Sequence, residues 1–327
     1  MEIVEVNNNW NEEVLHLDIT ISNVCNYKCW YCWPGSNLGT HKFPNAEIFK
    51  KNILHLVRYY QNNTNKKIFD IHFSGGEPSH WPALGEIINF CKENFPCLIS
   101  MTSNGSKKLS WWKKYGKYFD RVQLSCHHQY VDLPAFRDLC DWLYEQNVIV
   151  SVSVPMDSLA WQQCIDCVDF LKKSKRKWTI RYQDLVDQSI KYTPNQLKIL
   201  KKYRARRSNI FWFLKNNKYQ TVKVTVKDNL NKTYKVQDNK ISVNKMNNFQ
   251  GWKCSIGVNW IHVSADGKMA CTRGQQLFGE KEYYNLYDAN FIDKFKPVIK
   301  STICQQTDCV CSFETTMPKI REQYENR

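Results

Sequence analysis

Between Leu15 and Gln183 the chain alternates strand-like and helix-like segments, and this limits its fold more than any other feature. The strand-like runs are Leu15–Ile21, Lys67–Phe73, Cys97–Met101, Arg121–Ser125, Val148–Val154 and Trp178–Gln183. Between them, Pro44–Gln61, Trp81–Asn94, Leu109–Tyr118, Leu133–Gln146 and Ser158–Lys173 carry apolar residues near helical spacing. Asp132, ahead of Leu133 and Pro134, fits a helix N-cap. Such βα alternation predicts a parallel sheet with right-handed crossovers, curling toward a barrel. In folds of this kind ligands sit at the C-terminal ends of the strands.

Several unusual segments follow strands directly. After the first comes Cys25-Asn26-Tyr27-Lys28-Cys29-Trp30-Tyr31-Cys32; after the second, Ser74-Gly75-Gly76-Glu77-Pro78. The third leads into Thr102-Ser103-Asn104-Gly105 and the fourth into Ser125-Cys126-His127-His128. All would converge on one face. Thiolates are soft ligands for Fe–S clusters or zinc. A structural zinc site takes four protein ligands, whereas three on a four-iron cluster leave one iron open. The histidine pair at a strand end suits a substrate contact or a proton shuttle at His127, against the alternative of a structural hydrogen-bonded pair.

Composition narrows the class. With 327 residues, 43% hydrophobic and 14% aromatic, the chain is long and apolar enough for one large domain and a smaller one. No apolar run approaches the ~18–20 residues of a membrane helix. Met1–Val6 lacks the basic and apolar regions of a signal peptide, so a cytoplasmic protein without a membrane partner is expected. In that setting fourteen cysteines point to metal binding rather than to a disulfide scaffold. Cys91, Cys140, Cys164 and Cys167 lie in helix-like stretches and read as packed thiols. The formal charge of +15 suits an acidic or nucleic-acid partner, with Lys198–Arg207 (KILKKYRARR) as the densest patch. Lysine spread over solvated surfaces explains the same charge.

Beyond Thr193 the pattern changes. Thr193–Leu214 reads as basic helix. Thr221–Val226 and Thr233–Val236 form hairpin-like strands, with Ile241–Val243 as a third. A further hairpin turns at Ala265-Asp266-Gly267. Cys254, Cys271, Cys304, Cys309 and Cys311 make a second cysteine set, enough for a four-iron cluster or a zinc ion.

CxxxCxxC with an aromatic, Tyr31, before its last cysteine, and GGEP one strand later, resembles the radical SAM superfamily. The spacing of Cys254-xx-Gly257, Asp266-Gly267 and Cys271 resembles that superfamily's SPASM/Twitch extensions in their shorter, single-cluster form. The resemblance implies an α/β fold, a partial (βα)6 TIM-like barrel with a C-terminal α+β extension carrying an auxiliary cluster. The implied division is 1–190 for the barrel, 191–250 for a connecting region and 251–327 for the auxiliary module. It implies a [4Fe–4S] cluster on Cys25, Cys29 and Cys32 that binds S-adenosylmethionine (SAM). Tyr31, Gly75, Gly76, Glu77, Ser103, Asn104, Ser125, Ser153 and Arg181 would contact SAM, and Met156 would pack or lie beneath the adenine. A second [4Fe–4S] cluster would take four of the five later cysteines, which four being left open.

By the same resemblance the chain is an oxidoreductase-type enzyme. It would cleave SAM reductively to a 5′-deoxyadenosyl radical that abstracts a substrate hydrogen, with a flavodoxin or ferredoxin as external electron donor. Oxidation or epimerisation of a small sugar- or nucleotide-like molecule is the leading expectation, because only about a dozen residues precede the first strand and no peptide-binding winged helix is recognisable there. Modification of a ribosomally made peptide is the alternative, and a zinc-bearing nucleic-acid-binding module is the alternative of another class.

Overall fold

A computed structural model describes residues 3–7, 12–32, 34–185, 191–203, 213–215, 218–220, 224–236, 241, 246–309 and 317–322. In chain order the elements begin with β1 (Ile3–Asn7), β2 (Val14–Thr20), α1 (Ala46–Asn63) and β3 (Ile68–Ser74). They continue through α2 (Leu84–Asn94), β4 (Cys97–Ser103), α3 (Leu109–Tyr115), β5 (Arg121–Ser125) and α4 (Leu133–Glu145). Then come β6 (Ile149–Pro155), α5 (Trp161–Leu171), β7 (Thr179–Gln183) and α6 (Pro194–Tyr203). The rest is mostly strand: β8 (Phe213–Lys215), β9 (Lys218–Gln220), β10 (Val224–Asp228), β11 (Thr233–Val236), β12 (Trp252–Cys254), β13 (Trp260–Val263), β14 (Met269–Ala270), β15 (Thr302–Ile303) and β16 (Lys319–Arg321). No helix among the described residues is long and apolar enough to cross a membrane.

The chain divides into two compact units. One comprises Ile19–Lys50 and Asp70–Ala205. Its strands β4, β5, β6 and β7 lie side by side in chain order and pair in parallel, as the βα alternation predicts. The helices start where capping chemistry allows. Asn45 Oδ1 accepts the Glu47 and Ile48 N–H groups ahead of α1, and Asp132 Oδ1 accepts from Ala135 N–H with Pro134 in the first turn of α4. Pro44 therefore precedes the α1 cap instead of sitting in its first turn.

Along each strand the two faces differ. Ile99, Met101, Val122, Leu124, Val152 and Val154 are fully buried. The residues between them are Ser100, Thr102, Arg121, Gln123, Ser125, Ser151 and Ser153, which the parallel register places in cross-strand rows on one face. A closed (βα)8 barrel fills its interior with branched apolar side chains. Here that face is polar. It suits water and a hydrophilic ligand, not a dry core.

The other unit comprises Met1–Asp18, Lys51–Phe69 and Arg206–Arg327. Its antiparallel sheet runs β11-β10-β1-β16-β12-β15. Ile3, Val6, Val224, Val226, Ile241, Phe249 and Trp252 make its core. β1 is not among the strands predicted from the sequence; five residues of apolar/polar alternation are too short to stand out without their neighbours. The hairpin of β10 and β11 and that of β13 and β14 form as predicted. The first joins β1 and the later strands in one sheet. Among the described residues the helix expected over Thr193–Leu214 is α6, and Leu214 lies in β8, which pairs antiparallel with β9; Phe211 and Trp212 lie outside the described residues. The same holds for Val243 of the predicted third strand and for Arg204–Arg207 of the basic run.

Replacing Asp132 by alanine removes the α4 cap and should lower stability by about 1 kcal/mol, read as a shift of the urea midpoint at unchanged slope.

Candidate metal centres

The cysteine loop is shaped by the backbone and by one asparagine. Ile21 N–H donates to Ser74 O as the chain leaves β2. Buried Asn23 then closes the segment that follows: its Nδ2 donates to Gly35 O (3.0 Å) and Thr40 Oγ1 (2.8 Å), and its Oδ1 accepts from His41 N–H (2.7 Å). Inside this closed loop Cys25, Cys29 and Cys32 are thiols, none of them in a disulfide. Tyr27 N–H donates to Cys25 Sγ (3.4 Å), and Asn104 Nδ2 lies 4.0 Å from the same sulfur. Burial pushes the Cys29 thiol up to about 11, with a hydrogen bond from Tyr31 acting against it. Metal binding must therefore displace protons.

The glycines after β3 serve this loop directly. Gly76 N–H donates to Ser22 O (2.9 Å) and Glu77 N–H to Val24 O (2.8 Å). A Cβ at Gly75 would stand 2.3 Å from Ser22 O, and one at Gly76 would stand 2.2 Å from Val24 O. Two bare backbones thus lie against each other just ahead of Cys25, and no side chain fits between them. Glu77 is fully buried. Its Oε1 accepts from Ser103 Oγ (2.8 Å) and Ser79 N–H (3.0 Å), and its Oε2 accepts from Asn104 N–H (2.6 Å). Burial raises the carboxyl pKa, while these donors favour the ionised form. The structure therefore gives the Glu77 and Ser103 side chains to each other, and they tie the loops after β3 and β4. Asn104 is placed beside the thiols, where Nδ2 also donates to Asn26 Oδ1 (2.9 Å).

A second group of side chains backs the cysteines. Buried Tyr31 has its hydroxyl 3.1 Å from His127 Nδ1, which is also 3.4 Å from Cys29 Sγ. The Tyr31 ring stacks on His127 and on His128. Burial and the neighbouring His128 hold the His127 pKa down at about 4, so its imidazole is neutral near pH 7. Its Nδ1 is thereby committed to the cysteine loop. Asp157, absent from the sequence-based site, is buried; its Oδ2 accepts from Trp30 Nε1 (3.0 Å) and lies 3.7 Å from His128 Nε2. Its position just beyond β6, where every other site loop begins, is the signal that could have found it. Ser125, Ser153 and Arg181 share one cross-strand row, and Arg181 Nη2 donates to buried Ser153 Oγ (3.0 Å). Met156 is fully buried and packs in the core. Cys164 and Cys167 are buried on α5, as expected of packed thiols.

The later cysteines gather elsewhere. Cys254, Cys271, Cys304 and Cys309 line a single cavity with Phe249, Arg273, Gln275 and Lys319. Buried Gln275 braces it: its N–H donates to Cys271 Sγ (3.3 Å), its Nε2 donates to Ile303 O, and its Oε1 accepts from Gln305 N–H. Lys319 pairs across the ladder with Cys254 and is 4% exposed. Its Nζ donates to Met317 O (3.0 Å) and stands 4.5 Å from the Phe249 ring centroid. A buried ammonium beside four thiols suits a centre that carries net negative charge. Cys311 lies outside the described residues. Among the described residues no three His, Cys, Asp or Glu side chains are packed closely enough to hold a single metal ion.

The donor sets fit soft-ligand clusters: three thiols on one closed loop, and four around one braced cavity. Residues 19–141 match the model of the radical SAM superfamily. A stretch of 107 residues is 35% identical to the S-adenosylmethionine-dependent nucleotide dehydratase RSAD2 of Danio rerio, covering 31% of this chain and 27% of that protein. The Siniperca chuatsi protein of the same name is 36% identical over 107 residues, covering 31% and 28%. The chain thus matches little more than a quarter of the length of these relatives. The solved structure of native anSMEcpe with bound AdoMet shares the fold at a TM-score of 0.52 and 18% identity, covering 84% of this chain and 78% of that one.

Two substitutions test the loop packing in the metal-free protein. Gly76→Ala forces a Cβ into the Val24 carbonyl and should cost about 1–3 kcal/mol. Glu77→Gln turns an amide toward backbone N–H donors and should cost about 1–3 kcal/mol. Urea denaturation reads both.

Proposed function

We propose that this chain reductively cleaves S-adenosylmethionine and abstracts a hydrogen atom from a small, polar, nucleotide-like molecule, oxidising or epimerising it. The observation that carries this reading is the closed loop of three thiols held by backbone against Gly75–Glu77, within the segment that matches the radical SAM superfamily. When bound, a [4Fe–4S] cluster with SAM at its open iron would supply the one-electron cleavage and the 5′-deoxyadenosyl radical. Cys25, Cys29 and Cys32 would hold that cluster.

The chain's own groups then bind and position. The backbone of Gly75 and Gly76, with Asn104 and Ser125, is assigned to SAM's polar groups. The Arg181 guanidinium, set by Ser153, would take a carboxylate. Tyr31 and neutral His127 would fix the cysteine loop in place, and Asp157 would orient Trp30. The polar face of the sheet supports a hydrophilic substrate. The 107-residue similarity to a nucleotide dehydratase favours a nucleotide-like one. Cys254, Cys271, Cys304 and Cys309 are assigned to an auxiliary [4Fe–4S] cluster, with Lys319 as a neighbouring positive charge. A one-electron carrier of the flavodoxin or ferredoxin kind completes the system.

Anaerobically reconstituted protein should carry about eight irons per chain for two clusters and release 5′-deoxyadenosine on reduction with dithionite. The Cys25→Ala, Cys29→Ala, Cys32→Ala variant should keep about four irons and make none. Changing Cys254, Cys271, Cys304 and Cys309 together to alanine should remove the other cluster and spare SAM cleavage. Colourless, zinc-loaded protein without SAM cleavage overturns the reading. With deuterated nucleotides, label should pass into 5′-deoxyadenosine; transfer from a peptide pool alone would reassign the substrate.

A further inference from the structure

The segment after β4 carries a feature that the proposed chemistry leaves unused. From Gly105 to Phe119 it contains Lys107, Lys108, Lys113, Lys114 and Lys117 and no acidic residue. Lys107 is half-buried and the other four are exposed. Among the described residues none of the five has a carboxylate partner. Elsewhere in the same unit several basic groups have a carboxylate partner: Lys50 has Glu47 and Glu86, Lys92 has Asp120, Arg176 has Glu145. Lys114 and Lys117 instead lie over the Tyr115 and Tyr118 rings, 5.0 and 5.2 Å from their centroids. The result is a strip of uncompensated positive charge along α3.

The strip begins at the cysteine loop. Asn26 Nδ2 donates to Ser106 Oγ (3.1 Å), and Asn104 joins Asn26 from the same segment. Lys28, between Cys25 and Cys29, is exposed, and its Nζ is held by Asn37 O (3.0 Å). On the same loop Trp30 is 45% exposed, and Tyr130, 43% exposed, stacks on the loop's Tyr27 at 4.5 Å between centroids. The thiol-bearing loop is therefore itself at the surface, rimmed by aromatic faces and edged by lysines.

We propose that this surface, Lys28 with the strip Lys107–Lys117, is the docking face for an acidic one-electron carrier protein. The proposal rests on the radical SAM reading, which requires one electron from outside per cleavage. Docking here puts the carrier's redox group beside the loop that holds the first cluster. The electron leaves the carrier, which is oxidised by one, and enters the centre on Cys25, Cys29 and Cys32, which is reduced by one. Unpaired lysines steer an acidic partner at long range and act mainly on its association rate. The exposed aromatic rings supply the apolar contact at the centre of such an interface. The same charge suits a nucleic acid, but the adjoining cysteine loop favours the carrier.

The experiment compares two electron sources on the holoenzyme. In wild type, 5′-deoxyadenosine formation driven by flavodoxin hydroquinone should fall steeply with added salt, while that driven by dithionite should not. In Lys107→Glu, Lys108→Glu, Lys113→Glu the flavodoxin-driven rate at low salt should drop about tenfold or more, and the dithionite-driven rate should stay at the wild-type level. An unchanged flavodoxin-driven rate overturns the docking face and leaves the radical SAM reading intact. No cleavage by wild type with dithionite overturns that reading itself. Loss of gel retardation of an RNA pool, with flavodoxin-driven rate unchanged, assigns the strip to nucleic acid and overturns the carrier.

Discussion

The first centre depends on a pair of backbone hydrogen bonds and one buried carboxylate. Gly76 and Glu77 donate to the carbonyls of Ser22 and Val24, and Glu77 collects the donors of Ser79, Ser103 and Asn104. An ionised carboxylate out of water is tolerated only where its oxygens are well satisfied. Here that requirement locks together the loops after β3 and β4, and the glycine backbone carries the lock to the cysteine loop. A loop held by main chain cannot drift when side chains around it change.

The second centre is built on the opposite logic. Its four described cysteines come from the end of β12, a turn after β14 and the segment after β15, and no single loop holds them. A ladder and one amide hold them instead. β12 pairs with β15 and β16, which sets Lys319 opposite Cys254, while Gln275 bonds both to Cys271 and to the strand segment at 303–305. The antiparallel sheet that carries this ladder also takes in β1 from the start of the chain. A cavity assembled from such distant pieces exists only once that sheet has formed.

Which face of the parallel sheet meets ligand follows from side-chain alternation. Period two sends Val122 and Leu124 to the packed side and Arg121, Gln123 and Ser125 to the other. Repeated across β4, β5 and β6, this makes a wall whose open side cannot be a dry core. Such a wall suits water and hydrophilic groups, and the unusual loops gather at its C-terminal edge by strand direction.

The sequence by itself determined the βα alternation, the strand ends that carry the unusual loops, and the residue types at each candidate centre. Those depend on local periodicity and on residue chemistry: thiols spaced along one loop, glycines beside a strand end, Asp132 before Pro134. The tertiary structure alone decided what the side chains do once brought together. It turned Glu77 and Ser103 inward onto each other, gave His127 to the Tyr31 hydroxyl and the Cys29 thiol, and brought in Asp157 through a bond to Trp30, 127 residues away. It also placed β1 with strands more than 200 residues distant and set Lys319 beside Cys254. A buried polar group takes whichever partner the fold delivers, because leaving it unpaired costs more than any local preference. Spacing along the chain holds no record of that partner.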